Sequence, residues 1–293
     1  MEKFLQLTFT GLTNGAIFAL VGLGFVLIYK ASDVINFAQG DFLLVGAYIT
    51  YGFIVQLGLP WSVGVLLTMA VAVLLGIVVE RLVLRPLIGE PIISVIMVTI
   101  GLSSLLKAIV NAIWGTTGRA FPSFLPDTPV NIGGALVPLD RFIALAIVTV
   151  LLAAFMLFFR YSKEGIAMRA TADDQQAALS MGISVKRIFA IAWSIAAVVA
   201  AIAGVIVANI VELNGAAVAG IGLRVFPVVI LGGLDSIPGA IVGGIIIGLL
   251  ETYTAGYTSP ELGLSAVVPF IVLILILMVK PYGLFGEVRI ERV

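Results

Sequence analysis

Apolar stretches long enough to cross a lipid bilayer recur from one end of this chain to the other, and no soluble fold has a use for so many of them. A helix rising about 1.5 Å per residue needs roughly 20 apolar residues to cross about 30 Å of hydrocarbon. About eight such blocks are legible: Leu5 to Tyr29, Asp41 to Leu57, Trp61 to Val79, Ile92 to Trp114, Phe142 to Phe159, Ile188 to Val211, Pro238 to Tyr257 and Leu264 to Val279. A shorter piece, GLRVFPVVILGG from Gly222 to Gly233, is expected to be broken or re-entrant, because Pro227 removes a helix donor and two glycines follow it. Nothing between the blocks is polar enough to form a soluble domain. Of 293 residues, 61% are hydrophobic and 11% charged, where a soluble domain has about 25% charged. The expected fold is therefore all-α, a polytopic transmembrane helix bundle forming one domain over residues 1–293.

Charge and composition exclude whole classes of function. The sixteen basic and sixteen acidic residues cancel, so the chain carries no footprint for nucleic acid. Cysteine and histidine are both absent, which removes disulfides, thiolates, imidazole bases and the usual ligands of zinc, copper or haem. No metal site, catalytic residue or bound cofactor is expected. The opening Met-Glu-Lys leads into a long apolar stretch without a small-residue cleavage site, and reads as a retained first helix.

Lys and Arg accumulate on the cytoplasmic side of membrane proteins. Arg160, Lys163, Arg169, Lys186 and Arg187 cluster in one loop, and Lys280, Arg289 and Arg292 lie in the C-terminal tail. Both segments are expected to be cytoplasmic, with Lys30, Arg81 and Arg85 on the same side. The stretch from Gly115 to Arg141, rich in proline and glycine, is expected to be an irregular external cap. Counting the short segment as a further crossing puts the N-terminus outside and the C-terminus inside. A weak internal repeat fits that count: an apolar segment, a polar turn with Asp33 or Asp235, a glycine and a second apolar segment occur twice.

Glycines four residues apart, at Gly11 and Gly15, Gly239 and Gly243, and Gly244 and Gly248, put small residues on one helix face and let helices approach closely. Charges at membrane depth are costly and therefore informative. Asp41 and Glu80 fall near helix ends and are expected to reach the interface. Lys107 lies deeper, to snorkel or to pair with an acid. Glu212 and Glu251 are expected near the external mouth.

The polar loop at about 160–187 holds a modest apolar stripe, Ala170, Ala177, Ala178, Leu179 and Met181, at helical spacing. It is expected to form a short amphipathic helix with Asp173 and Asp174 near its start and Gly182 as its stop. Within it, Gln176, Ala177 and Ala178 followed at a distance by Gly182 resemble the Glu-Ala-Ala-x-x-x-Gly loop by which ABC importer permeases engage their ATPases, with Gln in place of Glu. VINFAQGDFLLVGAY from Val34, RATADDQQAALSMGI from Arg169 and VILGGLDSIPGAIVGGIIIGLLE from Val229 resemble, in order and spacing, the LivH-type permeases of branched-chain amino acid ABC importers.

That resemblance implies a permease domain with a docking loop formed by Arg169, Asp173, Asp174, Gln176, Ala177, Ala178 and Gly182. It also implies a second permease subunit, related or identical, two cytoplasmic ATPases that hold ATP and Mg, an external substrate-binding protein, and a bacterial inner membrane. This chain contains no G-x-x-x-x-G-K-[ST] phosphate loop, so ATP hydrolysis is expected in the partners. A translocation path is expected near Asn14, Asn36, Gln39, Gly232, Gly233, Gly239 and Gly243, for leucine, isoleucine or valine. Urea, short amides or another small solute remain alternatives, as do a transporter driven by an ion gradient and an intramembrane enzyme.

Overall fold

A computed structural model of the chain describes residues 1–88, 90–122, 124–126, 128–210 and 213–286. The described residues form helices α1 (Glu2–Ser32), α2 (Gln39–Tyr51), α3 (Trp61–Val79), α4 (Ile92–Trp114), α5 (Leu139–Tyr161), α6 (Lys163–Asp173), α7 (Gln175–Ser180), α8 (Val185–Ile210), α9 (Gly215–Gly232), α10 (Ile237–Tyr257) and α11 (Leu264–Val279), with one small hairpin, β1 (Pro129–Ile132) and β2 (Ala135–Pro138). Among the described residues, six helical segments are long and apolar enough to cross a membrane, and two further apolar helices, including α11, are shorter. The protein is an all-α polytopic membrane protein.

The segment around Pro227 and the expected external cap differ from their sequence-based expectation. The segment expected to be broken forms, up to Gly232, the second half of α9, which starts at Gly215 and continues through Pro227. Proline removes one donor from the helix, and in α9 this does not end it. Within the expected irregular cap, β1 and β2 pair antiparallel, Ile132 opposite Ala135. Gly133 and Gly134 connect them with φ of 60° and 91°, the positive angles that a two-residue hairpin turn of the right twist demands. Asn131 Oδ1 accepts from the Gly134 amide at 2.9 Å.

The chain divides into two compact units. The first comprises Met1–Val26, Leu125–Val150 and the chain from Arg224 on. There the spaced glycines do what their pattern implies: a Cβ on Gly15 would lie 2.8 Å from the Gly244 carbonyl oxygen, and one on Gly244 2.6 Å from that of Gly15. α1 and α10 thus meet backbone to backbone, a contact only small residues permit.

The second unit comprises Leu27–Phe124 and Leu151–Leu223. α8 is its centre, with Ala192, Trp193, Ala196, Ala200 and Ala203 buried and α2 and α3 packed along it. Gly76 of α3 lies so close that a Cβ would sit 2.6 Å from the Trp193 carbonyl oxygen, and a Cβ on Gly46 of α2 would strike Ala201. Phe42 meets the Trp193 ring edge-on at 6.1 Å.

Candidate functional site

The loop after α5 is built by caps. The chain reverses at Ser162, whose Oγ accepts from the Gly165 amide at 2.9 Å and so satisfies one of the free donors at the start of α6. Gly165 must be small there, since a Cβ would sit 2.6 Å from the Phe158 carbonyl oxygen. Arg169 reaches back and donates to the carbonyls of Phe159 and Arg160, which ties α6 to the end of α5. Arg187 at the start of α8 pairs with Glu164 at 2.6 Å.

The expected single amphipathic helix is two helices. α6 ends at Asp173, and Asp174 turns the chain into extended backbone and caps α7. Its Oδ1 accepts from the amides of Gln176 at 2.8 Å and Ala177 at 2.9 Å. The cap explains the break: an Asp side chain competes with the helix for nearby amides. α7 ends where expected. Gly182 has φ of +83°; its amide donates to Leu179 at 3.0 Å and that of Ile183 to Ala178 at 2.9 Å, the paired bonds of a Schellman stop. Ala178 is buried, while Gln176, Ala177, Leu179, Met181 and Gly182 are exposed, Met181 by 83%. A six-residue helix with both ends fixed thus offers small and apolar groups outward.

Beside α7 lies a small cavity of about 130 Å³, lined by Gln175 together with Asp33, Val34, Leu84, Glu90 and Phe189. The basic loop, the segment after Lys30 and the segment after Arg85 therefore open on one end of this unit, as the placing of Lys and Arg requires. Asp33, with φ of 54°, ends α1, and the chain stays non-helical until α2 begins at Gln39. Asn36 and Gln39 hold this break together. Asn36 Oδ1 accepts from the Ala38 amide at 3.0 Å, its Nδ2 donates to Gln39 Oε1 at 3.2 Å, and Gln39 Nε2 donates to the Ala196 carbonyl at 3.2 Å. Both side chains are fully buried. Unwound backbone at this depth requires such partners.

The other sequence-expected path residues lie in the first unit. Asn14 Nδ2 donates to Thr252 Oγ1 at 3.3 Å. Gly232, Gly239 and Gly243 form the crossing of α9 and α10: a Cβ on Gly232 would strike the Gly239 backbone, and one on Gly243 the Val228 carbonyl. Gly233 has φ of 106° and lies against Gly286. Next to it, the amides of Leu284 and Phe285 cap α9 by donating to Leu231 and Gly232. Glu251 pairs with Arg224, a partner that sequence spacing did not single out. Glu212 lies outside the described residues.

Asp41 and Glu80, expected to reach solvent at the interface, are buried within the protein, 2% and 0% exposed. Each has a cation instead. Arg85 donates to both Glu80 oxygens, at 3.0 and 2.6 Å. Residues five apart face different sides of an α-helix, but Glu80–Leu84 is a turn of π-helix, whose i to i+5 repeat puts Arg85 over Glu80. Lys107 Nζ lies 3.6 Å from Asp41 Oδ1, so the deep lysine pairs across α2 and α4.

Residues 7–277 match the family described as branched-chain amino acid transport system / permease component. The chain belongs to this family. The permease is 31% identical to the high-affinity branched-chain amino acid transport system permease protein LivH of Escherichia coli strain K12, over 99% of this chain and 98% of that protein. It is 29% identical to BraD of Pseudomonas aeruginosa over the same shares. A probable LivH of Methanocaldococcus jannaschii is 28% identical over 91% of this chain and 88% of its own length. Among solved structures, PsaBC from Streptococcus pneumoniae in complex with Fab is matched with a TM-score of 0.51 over 96% of each chain at 17% identity, a likeness of fold alone.

Proposed function

We propose that this permease carries branched-chain amino acids inward across a bacterial inner membrane as one half of an ABC importer's membrane channel. A second permease, related or identical, completes the channel, and an external binding protein delivers the substrate. Two cytoplasmic ATPases hold ATP and Mg and dock on the loop 160–187. The chain works as a single transmembrane domain in which α1 to α5 and α8 to α11 each cross, α9 included, since its 18 residues rise about 27 Å. That count leaves the N-terminus outside and the C-terminus inside. The internal repeat belongs to the same proposal, as does an external mouth near Glu212 and Glu251.

The observation that carries the reading is α7: a short helix fixed at both ends, exposing Ala177, Leu179 and Met181, with its Gln175 in the cavity that Asp33 lines. Small and apolar groups on a rigid turn suit insertion into a cleft of an ATPase. Closure of the ATPases would move α6 and α7 as a rigid piece and reach the α1–α2 break, where Asn36 and Gln39 set the path. Asn14 and the packed glycines Gly232, Gly233, Gly239 and Gly243 belong to that path as surfaces on which helices shift.

The test is ATP-dependent uptake of labelled leucine into vesicles holding this chain, its partner permease, the ATPases and the binding protein, with each left out in turn. Uptake lost on omitting this chain or the ATPases supports the reading. Uptake by this chain alone on an ion gradient overturns it. ATP hydrolysis without leucine uptake retains the importer and discards the substrate.

A further inference from the structure

We infer that a cleft at Lys107 is a transit site for the zwitterionic head of an apolar α-amino acid, with the lysine ammonium taking the carboxylate. The inference rests on the transport reading above and names the group that recognises the substrate within the membrane. The cleft lies in the second unit and holds about 410 Å³, within the range of small-molecule sites. Its polar lining is Lys107, Asn111, Thr116 and Asn214; its apolar lining is Leu44, Ala219 and Leu223. Gly220 also lines it, and a Cβ there would meet nothing within 4 Å, so the space is open where the helix bears no side chain.

Three observations make Lys107 the recognising group. It stands seven residues before the end of α4 at Trp114, about 10 Å along the helix axis. An ammonium at such depth is rare, and where it occurs it pairs with an acid or lines a polar path. Its side chain is 49% exposed although its carboxylate partner is only 3% exposed, so one face of the charge is neutralised and the other is presented to the cleft. The pair is also loose: 3.6 Å is beyond hydrogen-bond length, and Asp41 Oδ1 accepts no hydrogen bond.

Asp41 is thus a positioning residue that holds the lysine nitrogen at 3.6 Å and aims its other side at the cleft. A substrate carboxylate would take the free face of Lys107. Its ammonium would be met by the Asn111 amide oxygen and the Thr116 hydroxyl, and its aliphatic side chain by Leu44, Ala219 and Leu223. Such a set distinguishes a zwitterion from a neutral amide by charge.

The experiment uses the whole importer in vesicles, with labelled leucine. Lys107→Met should lower uptake at least tenfold, while Lys107→Arg keeps most of it. Gly220→Phe, whose Cβ meets nothing within 4 Å and whose ring would occupy the cleft, should lower uptake comparably in a complex that assembles at normal yield. The neutral pair Asp41→Asn/Lys107→Met separates recognition from packing. If the ion pair only joins α2 to α4, removing both charges restores uptake and the inference fails; if Lys107 reads the carboxylate, uptake stays as low as in Lys107→Met. Normal uptake by Gly220→Phe also overturns it. A wild-type importer that takes up no leucine overturns the transport reading instead, and this site with it.

Discussion

Gly40 of α2 and Gly222 of α9 touch through their backbones: a Cβ on either would lie 2.6 Å from the Cα of the other. No rotamer relieves such a contact, because the obstacle is main chain. Gly222→Leu should therefore force the helices apart and lower stability by about 1–3 kcal/mol, the usual cost of overpacking. Gly220→Leu, two residues earlier and facing open space, should leave the unfolding temperature within a degree or two. Thermal unfolding of the two variants in detergent compares them directly.

Asp174 decides whether α7 exists. It supplies side-chain acceptors to two of the helix's first amides, and a helix of six residues has no reserve of internal bonds. Asp174→Ala should cost about 1 kcal/mol of local stability and show as faster hydrogen exchange at Gln176 and Ala177, with weaker recovery of ATPase on purification. Asp174→Asn and Asp174→Ser keep an acceptor and should retain most of the interaction. Equal exchange in all three variants would show that the cap is idle.

The parts of this fold legible in the sequence are those set by local pattern. The long apolar blocks became helices, the glycine spacing of α1 and α10 became backbone contact, and Gly182 became a left-handed stop because the stripe before it ended there. What was not legible depends on partners distant in the chain. Asp41 and Lys107 are 66 positions apart, and nothing near either residue names the other. Glu80 and Arg85 are close in sequence, but an α-helical reading puts them on different faces; only the π turn aligns them. Asp174 was legible as a helix-start residue, yet the apolar stripe on both sides of it read as one helix. Gly133 and Gly134 read as irregular, since a paired hairpin requires knowing that Pro129 and Pro138 meet.

Gly182 is constrained by its φ of +83° and not by space, as a Cβ there would meet nothing within 4 Å. Gly182→Val should therefore cost about 1–2 kcal/mol of conformational energy at that turn, distort the carbonyls of Ala178 and Leu179, and reduce co-purification of the ATPase severalfold. Membrane insertion should be unchanged, because no spanning helix is involved. Gly182→Asn, which tolerates the left-handed region, should retain most of the ATPase. A Gly182→Val chain that recovers the ATPase at wild-type yield would count against α7 as the docking element.

The Glu80–Arg85 pair should respond unequally to the loss of either member. Glu80 is wholly buried, while the side chain of Arg85 is 33% exposed. Arg85→Met leaves a carboxylate inside the protein with its two charge-assisted bonds gone, and a buried charge without its partner is strongly destabilising. Glu80→Gln leaves a neutral amide in the same space and an arginine whose long stem can carry its charge outward. The expected order of unfolding temperatures is wild type, then Glu80→Gln, then Arg85→Met lowest, with the double variant above Arg85→Met. That last comparison is decisive: if the double variant is no more stable than Arg85→Met, the penalty does not come from the stranded carboxylate, and the π turn itself must depend on the arginine.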